Sequence, residues 1–486
     1  MSQIKVSNLT FAYEGSYENV FDNVSFQIDT DWKLGFTGRN GRGKTTFLNL
    51  LLGKYKYQGS ITSSASFEYF PYEVKDKSKP TIDVLREICF SEEWEMVREL
   101  SLLEVKEEAL ERPFESLSLG EQTKVLLSAL FLNPERFPLI DEPTNHLDFQ
   151  ARKAASSYLS KKNGFLLVSH DRAFLDSCID YILAINRMNI EIQKGNLSSW
   201  LKNKQNQDSL ELSRNDELKK DMNRLKQAAR RTAEWSGKVE KTKIGAADKG
   251  YIGHKAAKMM KRSKSIEGRI LNEAEEKSKL LKNIEPSEDL KLFPQKHHSK
   301  QLARFFELSI NYGRKVAVRE ASFSIEQGDR IALCGRNGSG KSSILKLLTG
   351  DGISYSGLME KASNLEISYV SQDVSHLKGS ISSFITQSRI DGTLFRGILR
   401  KLDFERSLFD ADISNCSEGQ KKKILIARSL CEKAHLYVWD EPLNYIDIYA
   451  RLQIENLIVK YSPTLLFVEH DDAFCEKICT KRIHLQ

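Results

Sequence analysis

Leu34-Gly35-Phe36-Thr37-Gly38-Arg39-Asn40-Gly41-Arg42-Gly43-Lys44-Thr45-Thr46 decides how this chain is read. An apolar strand runs into a glycine loop, and helix-forming sequence follows to Leu52. Strand, glycine loop and helix, in that order, form the setting a phosphate-binding loop requires. The spaced glycines let successive backbone N–H groups converge on phosphate oxygens, and the helix amino terminus adds its positive end. Gly38, Asn40, Gly41, Gly43 and Thr46 then shape the cradle, Lys44 neutralises β/γ-phosphate charge, and Thr45 offers its hydroxyl to Mg²⁺. An ordinary glycine turn is the plainer reading, and the flanking strand and helix argue against it.

The string returns 297 residues later, with Gly335 in the place of Gly38. Gly335, Asn337, Gly338, Gly340, Lys341, Ser342 and Ser343 again join an apolar strand to an apolar helix. Two further blocks repeat in the same order. Phe137–Glu142 is echoed by Leu436–Glu441 at an offset of 299, and Phe165–Asp171 by Leu465–Asp471 at 300. Three blocks at nearly constant offset mean an internal duplication.

Each duplicated strand ends in Asp-Glu, which supplies what a phosphate site still needs. Asp141 and Asp440 are candidates to hold Mg²⁺, and Glu142 and Glu441 to orient and deprotonate an attacking water. A carboxylate pair at a strand's exposed end is common in isolation; its coupling to a phosphate loop in both halves favours chemistry. His170 and His470 follow apolar strands, where a side chain reaches toward a γ-phosphate. A lone histidine there is more often a satisfied core residue, and the duplication favours the functional role.

At 486 residues the chain suggests two or three domains. Its apolar content of 40% and charged content of 29% describe a soluble protein with one unusually charged part. No apolar run approaches the roughly 18–20 residues needed to cross a bilayer. Seven dispersed cysteines fit reduced thiols better than disulfides or a zinc site, so a cytoplasmic location is expected.

Between the repeats lies a stretch without proline from Leu201 to Glu285. One stripe runs through Leu218, Met222, Leu225, Ala229 and Thr232, and a second through Met259, Ser263, Ile266 and Ile270. The spacing predicts an antiparallel helical hairpin with arms of roughly 36 residues, about 54 Å each, folded around a glycine-bearing tip near 236–254. Between Lys219 and Lys264 stand fifteen Lys or Arg against four Asp or Glu, a surplus that exceeds the net +7 of the whole chain. Solvated coiled-coil faces mix signs, and this one does not. The asymmetry, with Trp235, Tyr251 and His254 interspersed, points to RNA phosphates and exposed bases. The expected divisions are 1–197, a linker at 198–300, and 301–486.

The motifs resemble those of ATP-binding-cassette ATPases. Leu117-Ser118-Leu119-Gly120-Glu121-Gln122 is similar to the signature motif of that superfamily, and Cys416-Ser417-Glu418-Gly419-Gln420 is a more divergent copy. The resemblance implies that each signature closes on the ATP held by the opposite half. Lys44, Thr45, Asp141 and Glu142 would then meet Ser417, Gly419 and Gln420, while Lys341, Ser342, Asp440 and Glu441 would meet Ser118, Gly120 and Glu121. It also implies adenine contacts for Tyr13 and Tyr312, though a tyrosine in a half-buried strand is as often simple packing. Gln372 matches the family's metal-sensing glutamine, and the first half has Tyr72 in its place. The sites are therefore expected to be unequal, with the Lys44 site slower. Asp148 and Asp447 are expected in loops that meet across the interface.

Two cassettes in one chain, the Glu142–Asp148 string and the charged linker resemble the ABC-F family. The implied fold is α/β: two tandem ABC-type P-loop ATPase domains joined by a long antiparallel α-helical hairpin. The short spacing from Gly43 to Ser118 and the divergent second signature are similar to the Vga/Lsa-type antibiotic-resistance members. What this implies is a monomer whose two halves pair, using ATP and Mg²⁺. It would bind the ribosome near the tRNA exit site through rRNA and P-site tRNA. There it would protect against lincosamides, pleuromutilins and group A streptogramins, and hydrolysis would drive its release. A general translation factor of the same family, or the ATPase subunit of a separate membrane exporter, are the alternatives left open.

Overall fold

A computed structural model describes residues 2–15, 19–133, 136–145, 147–185, 190–241, 258, 261, 264–266, 268–270, 290–313, 315–336 and 338–485. The chain divides into two compact units, one made of Met1–Ser198 with Ser287–Gln486 and the other of Ser199–Pro286. The first unit contains both repeats.

Each repeat is built on a buried sheet. In the first half the order is Ser66–Phe70, Arg136–Asp141, Phe165–Val168, Lys33–Gly38, Tyr181–Ile185 and Ile190–Lys194. All neighbours are parallel except the last pair. The second half repeats the first five positions with Ile367–Val370, Leu436–Asp440, Leu465–Val468, Arg330–Cys334 and Lys481–His484, all parallel. The central strands read as unbroken apolar runs because both their faces are covered. Phe165–Val168 and Leu465–Val468 are buried at every position. A three-stranded antiparallel sheet accompanies each: Phe21–Asp29, Gln3–Phe11 and Gln58–Ser63, then Lys315–Glu326, Gln301–Tyr312 and Tyr355–Lys361.

The order of the parallel strands decides where chemistry sits. Register brings Phe36 opposite Val168, and Val168 opposite Asp141. The carboxyl ends of the strands carrying Gly38, Asp141 and His170 therefore lie side by side, the usual position of a ligand crevice in such sheets. Beneath them the helix Lys44–Leu51 packs Phe47 among Phe21, Phe26 and Phe36. Fully buried, Phe47 contributes about 2–3 kcal/mol. The second half matches it with Ile344, Leu345 and Leu348 under Leu333 and Val438.

In the second unit the helix Leu197–Lys241 spans 45 residues, roughly 70 Å at 1.5 Å per residue. It is longer than the arm of roughly 36 expected from the pattern. Leu218, Met222 and Leu225 are half-buried, whereas Lys219, Lys220 and Arg224 are exposed, as the apolar stripe requires. Residues 258, 261, 264–266 and 268–270 are also helical. The rest of the tip bracket, Lys243–Gly253, with Tyr251, His254, Met259 and Ser263, lies outside the described residues.

The linker boundary drawn at 300 moves toward the amino terminus. Leu290 and Leu292 are buried in the core of the second half, and Phe293–Pro294 pairs in parallel with Lys433–Ala434. His297 Nε2 lies 2.9 Å from the carbonyl oxygen of Ser363. A two-residue strand carries too little pattern to be read from sequence.

Candidate functional site

In the second half, the helix Lys341–Thr349 starts at Gly340, which has φ 77° and no capping side chain. Gly43 begins Lys44–Leu51 in the same way at φ 91°. Any Cβ at Gly340 would lie 2.3 Å from Val318 Cγ2, so the loop closes only on glycine. The helices that follow Ser118, Asp148, Ser417 and Asp447 are each capped by that residue's side chain. The phosphate-loop helices instead leave their first N–H groups to an outside anion. Lys341 Nζ donates to the carbonyl oxygens of Gly335 at 2.8 Å and Arg336 at 3.0 Å. Tyr312 donates to Ser343 Oγ at 3.1 Å, which sets its half-exposed ring beside the helix start.

Asp440 ends its strand fully buried, with neither carboxylate oxygen hydrogen-bonded. Burial, with Glu441 beside it, pushes its pKa up to about 6, opposed by the neighbouring Ser342 hydroxyl. Glu441 takes φ 46°, a conformation costly to a non-glycine residue, and its N–H is held by Val468 O at 3.0 Å. That turn aims its carboxylate back over the sheet ends. Gln372 Nε2 donates to Glu441 Oε2 at 2.8 Å and Asn444 Nδ2 at 2.6 Å, while His470 Nε2 lies 3.4 Å from Oε1. Burial pushes the Glu441 carboxyl up, but His470 and Gln372 more than offset it and hold the group below the usual range. Glu441 is therefore an ionised base at neutral pH.

The donor set fits Mg²⁺, a hard cation that takes carboxylate and hydroxyl oxygens. Asp440 brings two unpartnered oxygens, Ser342 a hydroxyl and Gln372 an amide oxygen. Among the described residues, no group of three or more His, Cys, Asp or Glu side chains converges on one point. Phosphate oxygens would have to complete the shell, as is usual for this ion.

The first half has the same groups in a different state. Lys44 Nζ donates to Gly38 O at 2.7 Å, Arg39 O at 3.2 Å and Asn40 Oδ1 at 3.3 Å. The hydroxyls of Tyr13 and Thr46 lie 2.6 Å apart. Glu142 has φ 49° and gives its N–H to Val168 O at 2.9 Å, mirroring Glu441. Its Oε1, however, is buried without a hydrogen bond, 3.4 Å from His170 Nε2. Burial and the charge of Asp141 push the Glu142 carboxyl up to about 8. Burial, then the charges of Lys44 and Arg451, hold His170 well below its ordinary value, so its imidazole is neutral. Asp141 Oδ2 accepts a hydrogen bond from Tyr69 at 3.0 Å, and Thr45 lies at its side. Burial also raises this carboxyl.

Tyr72 holds the sequence place of Gln372 without making that residue's hydrogen bond to the glutamate. Its phenol faces Glu68, and burial with that carboxylate raises its pKa. Alternation along Ser66–Phe70 puts Glu68 on the face opposite Tyr69, so Tyr69 is the phenol that meets Asp141.

The two halves face each other across their sites. A cleft of about 1500 Å³ is lined by Lys341, Ser342, Gln372, Glu441 and His470 from the second half, and by Ser118, Gly120, Glu121 and Asp148 from the first. Ser118 and Glu121 form a reciprocal capping box, as do Ser417 and Gln420. At the Lys44 loop, Asn40 Nδ2 donates to Tyr445 O at 2.9 Å. Gly419 packs so tightly there that a Cβ would lie 2.5 Å from Tyr445 O and 3.4 Å from Asn40 Nδ2. A Cβ on Gly41 would lie 2.5 Å from Glu405 Oε1. Arg39 and Arg42 reach Asp403 at 3.6 and 3.9 Å. Asp447 caps its helix and acts on Lys44, and Asp148 acts on Lys341. Within its own half Asp447 also pairs with buried Lys423 at 3.0 Å. Asn337 and His146 lie outside the described residues.

Sequence reading passed over Tyr69, the Arg39/Arg42–Asp403 contacts, and Arg172, which forms an ion pair with Glu455 of the opposite half. Arginines inside a glycine loop were a visible signal; their partners, hundreds of residues away, were not.

The profile of the family described as ABC transporter matches residues 21–145 and 318–444. The chain is 28% identical over 482 residues to the ribosome protection protein VmlR of Bacillus subtilis (strain 168), covering 97% of this chain and 85% of that one. It is 24% identical to ABC transporter F family member 5 of Arabidopsis thaliana, covering 100% of this chain and 75% of that protein. Among solved structures, the archaeal ribosome recycling factor aABCE1 in complex with stalk protein aP1 shares the fold. The TM-score is 0.63 at 19% identity, over 98% of this chain and 87% of the other. Among the described residues, no helix is long and apolar enough to cross a membrane.

Proposed function

The chain belongs to the ABC transporter family, as an ABC-F-type ATPase with two cassettes in one polypeptide, and from that premise we propose that it works on the ribosome. In this reading it binds near the tRNA exit site through rRNA and P-site tRNA and shields the peptidyl-transferase centre from lincosamides, pleuromutilins and group A streptogramins. Hydrolysis lets it go. The carrying observation is the one-sided charge between Lys219 and Lys264, whose first part lies on the helix Leu197–Lys241. The name of the relative VmlR, a ribosome protection protein, favours the same reading.

The chemistry proposed for each cassette follows from its residues. Lys44 and Lys341 balance β/γ-phosphate charge, and Tyr13 and Tyr312 bound the adenine pocket. Ser118, Gly120 and Glu121, and in turn Ser417, Gly419 and Gln420, close on the γ-phosphate bound across the interface. Glu142 and Glu441 take the proton of the attacking water, and His170 and His470 orient that exchange. Mg²⁺, when bound, screens phosphate charge; Thr45 with Asp141, and Ser342 with Asp440 and Gln372, are the residues to hold it. Closing two such sites would draw the cassettes together and thereby aim the linker, taken as 199–286 rather than 198–300.

A variant with Glu142→Gln and Glu441→Gln should trap the ATP-bound form and sediment with ribosomes in ATP but not in ADP. Co-sedimentation with membranes instead would return the exporter reading. Expression in a susceptible host should raise the inhibitory concentration of at least one of the three drug classes. No change for any of them would move the function to general translation.

A further inference from the structure

The signature helix of the second half, Glu418–Cys431, carries a lysine that its counterpart lacks. Aligned on Ser118 and Ser417, Lys422 stands where the first half has Thr123, and Leu443 where it has Thr144; Glu469 takes the place of Ser169. The first-half set is neutral and local. Thr123 Oγ1 bonds back to Leu119 O at 2.8 Å, and the hydroxyls of Thr144 and Ser169 lie 3.3 Å apart.

The second-half set is charged and buried. Lys422 is only 2% exposed, and its ammonium donates to Ser371 O at 2.8 Å, Gln372 O at 3.3 Å and Asp440 O at 3.2 Å. Ser371 and Gln372 leave the strand Ile367–Val370, and Asp440 ends its parallel neighbour Leu436–Asp440. One side chain thus ties the ends of two adjacent strands. An ammonium kept from water is costly unless carbonyls and opposite charges surround it. Glu469, then Asp440 and Glu441, supply that charge, and burial still brings the lysine down to about 8. Glu469 is itself fixed, accepting the N–H of Leu443 at 2.7 Å and of His470 at 3.1 Å.

We propose that Lys422 is a positioning residue for ATP hydrolysis at the Lys341 site, with Glu469 as its counter-charge. By gripping the Gln372 carbonyl and the end of the Asp440 strand together, it keeps the Gln372 amide on the Glu441 carboxylate, the 2.8 Å contact that the first half lacks. The inference rests on the reading of Glu441 and Gln372 as hydrolytic groups. It assigns the Gln372–Glu441 contact to a buried lysine whose place in the first half is held by Thr123.

A Glu142→Gln background isolates the Glu441 site for single-turnover measurement. There Lys422→Thr should slow the hydrolysis step ~10-fold or more, the cost expected when a catalytic contact loses its placement. Affinity for a fluorescent ATP analogue should stay within about twofold, because the phosphate loop is untouched. Lys422→Arg, which still donates to carbonyls, should keep most of the rate. The deciding variant is Lys422→Thr with Glu469→Ser. It removes both buried charges and should recover the melting temperature lost by Lys422→Thr alone, without recovering the rate. Recovery of rate together with melting temperature would reduce Lys422 to charge balance and overturn the proposal, as would an unchanged rate in Lys422→Thr. If Glu441→Gln itself leaves the rate intact, the reading of the site fails and takes this inference with it.

Discussion

Glu142 and Glu441 hold the same place, the same left-handed backbone and the same 3.4 Å approach of a histidine, yet they are chemically different. Glu441 is held charged by Gln372 and His470, while burial beside Asp141 leaves Glu142 with its pKa near 8. At neutral pH Glu142 is therefore largely protonated. A general base works only once that proton has left, so its rate must rise with pH. In a Glu441→Gln variant, where only Glu142 can act, hydrolysis should climb roughly tenfold per pH unit below about 8 and level off above it. The Glu142→Gln variant should be flat over the same range, because Glu441 is already ionised. Two flat profiles would show that the residues do not differ as bases. Tyr69 deepens the contrast, since its hydroxyl occupies an oxygen on Asp141 whose counterpart on Asp440 is unpartnered.

At the scale of elements, the halves are joined by side chains on helices that begin just past the sites. Arg172 opens the helix Arg172–Cys178 in the first half and pairs with Glu455 on the helix Ile448–Tyr461 in the second. Glu455 is fully buried and also receives Lys477 Nζ at 3.1 Å. Removing one member of a buried pair strands the other, at a cost of about 3 kcal/mol. Glu455→Gln and Arg172→Ala should each destabilise the protein by about that much in denaturant unfolding, and the double variant by much less than the sum. Coupling below about 0.5 kcal/mol would mean the contact joins nothing. Such links explain what the sequence could not disclose. The glycine loops, the Asp-Glu strand ends and the signature caps are local patterns, and each was visible in a window of a dozen residues. The partner of Arg172 lies 283 residues away, and nothing near either residue marks the pairing. The long helix starts at Leu197, one residue before the expected 198, and Ser198 N donates to Asp176 Oδ1 at 2.9 Å, a contact from tertiary structure that no local pattern shows. Tyr72 does stand where the second half has Gln372, but only the fold shows that Tyr69 is the phenol on Asp141.

For the whole molecule, the proposed function has the basic helix reach its polyanion when ATP closes the halves. The charge on the helical unit then has a measurable signature. Lys219, Lys220, Lys261 and Lys264 are all exposed. Each phosphate such a residue neutralises adds about 0.7–0.9 to the slope of log affinity against log salt, through release of counterions. In the ATP-trapped form with Glu142→Gln and Glu441→Gln, changing these four lysines to alanine should weaken ribosome binding at low salt and reduce that slope by about 3. A substitution that merely altered the helix would weaken binding at every salt concentration and leave the slope alone. Four exposed charges on a purely solvated face would change neither affinity nor slope, and that result would detach the linker from RNA. The slope is the sharper observable because it counts contacts, whereas affinity alone mixes them with the closure of the cassettes.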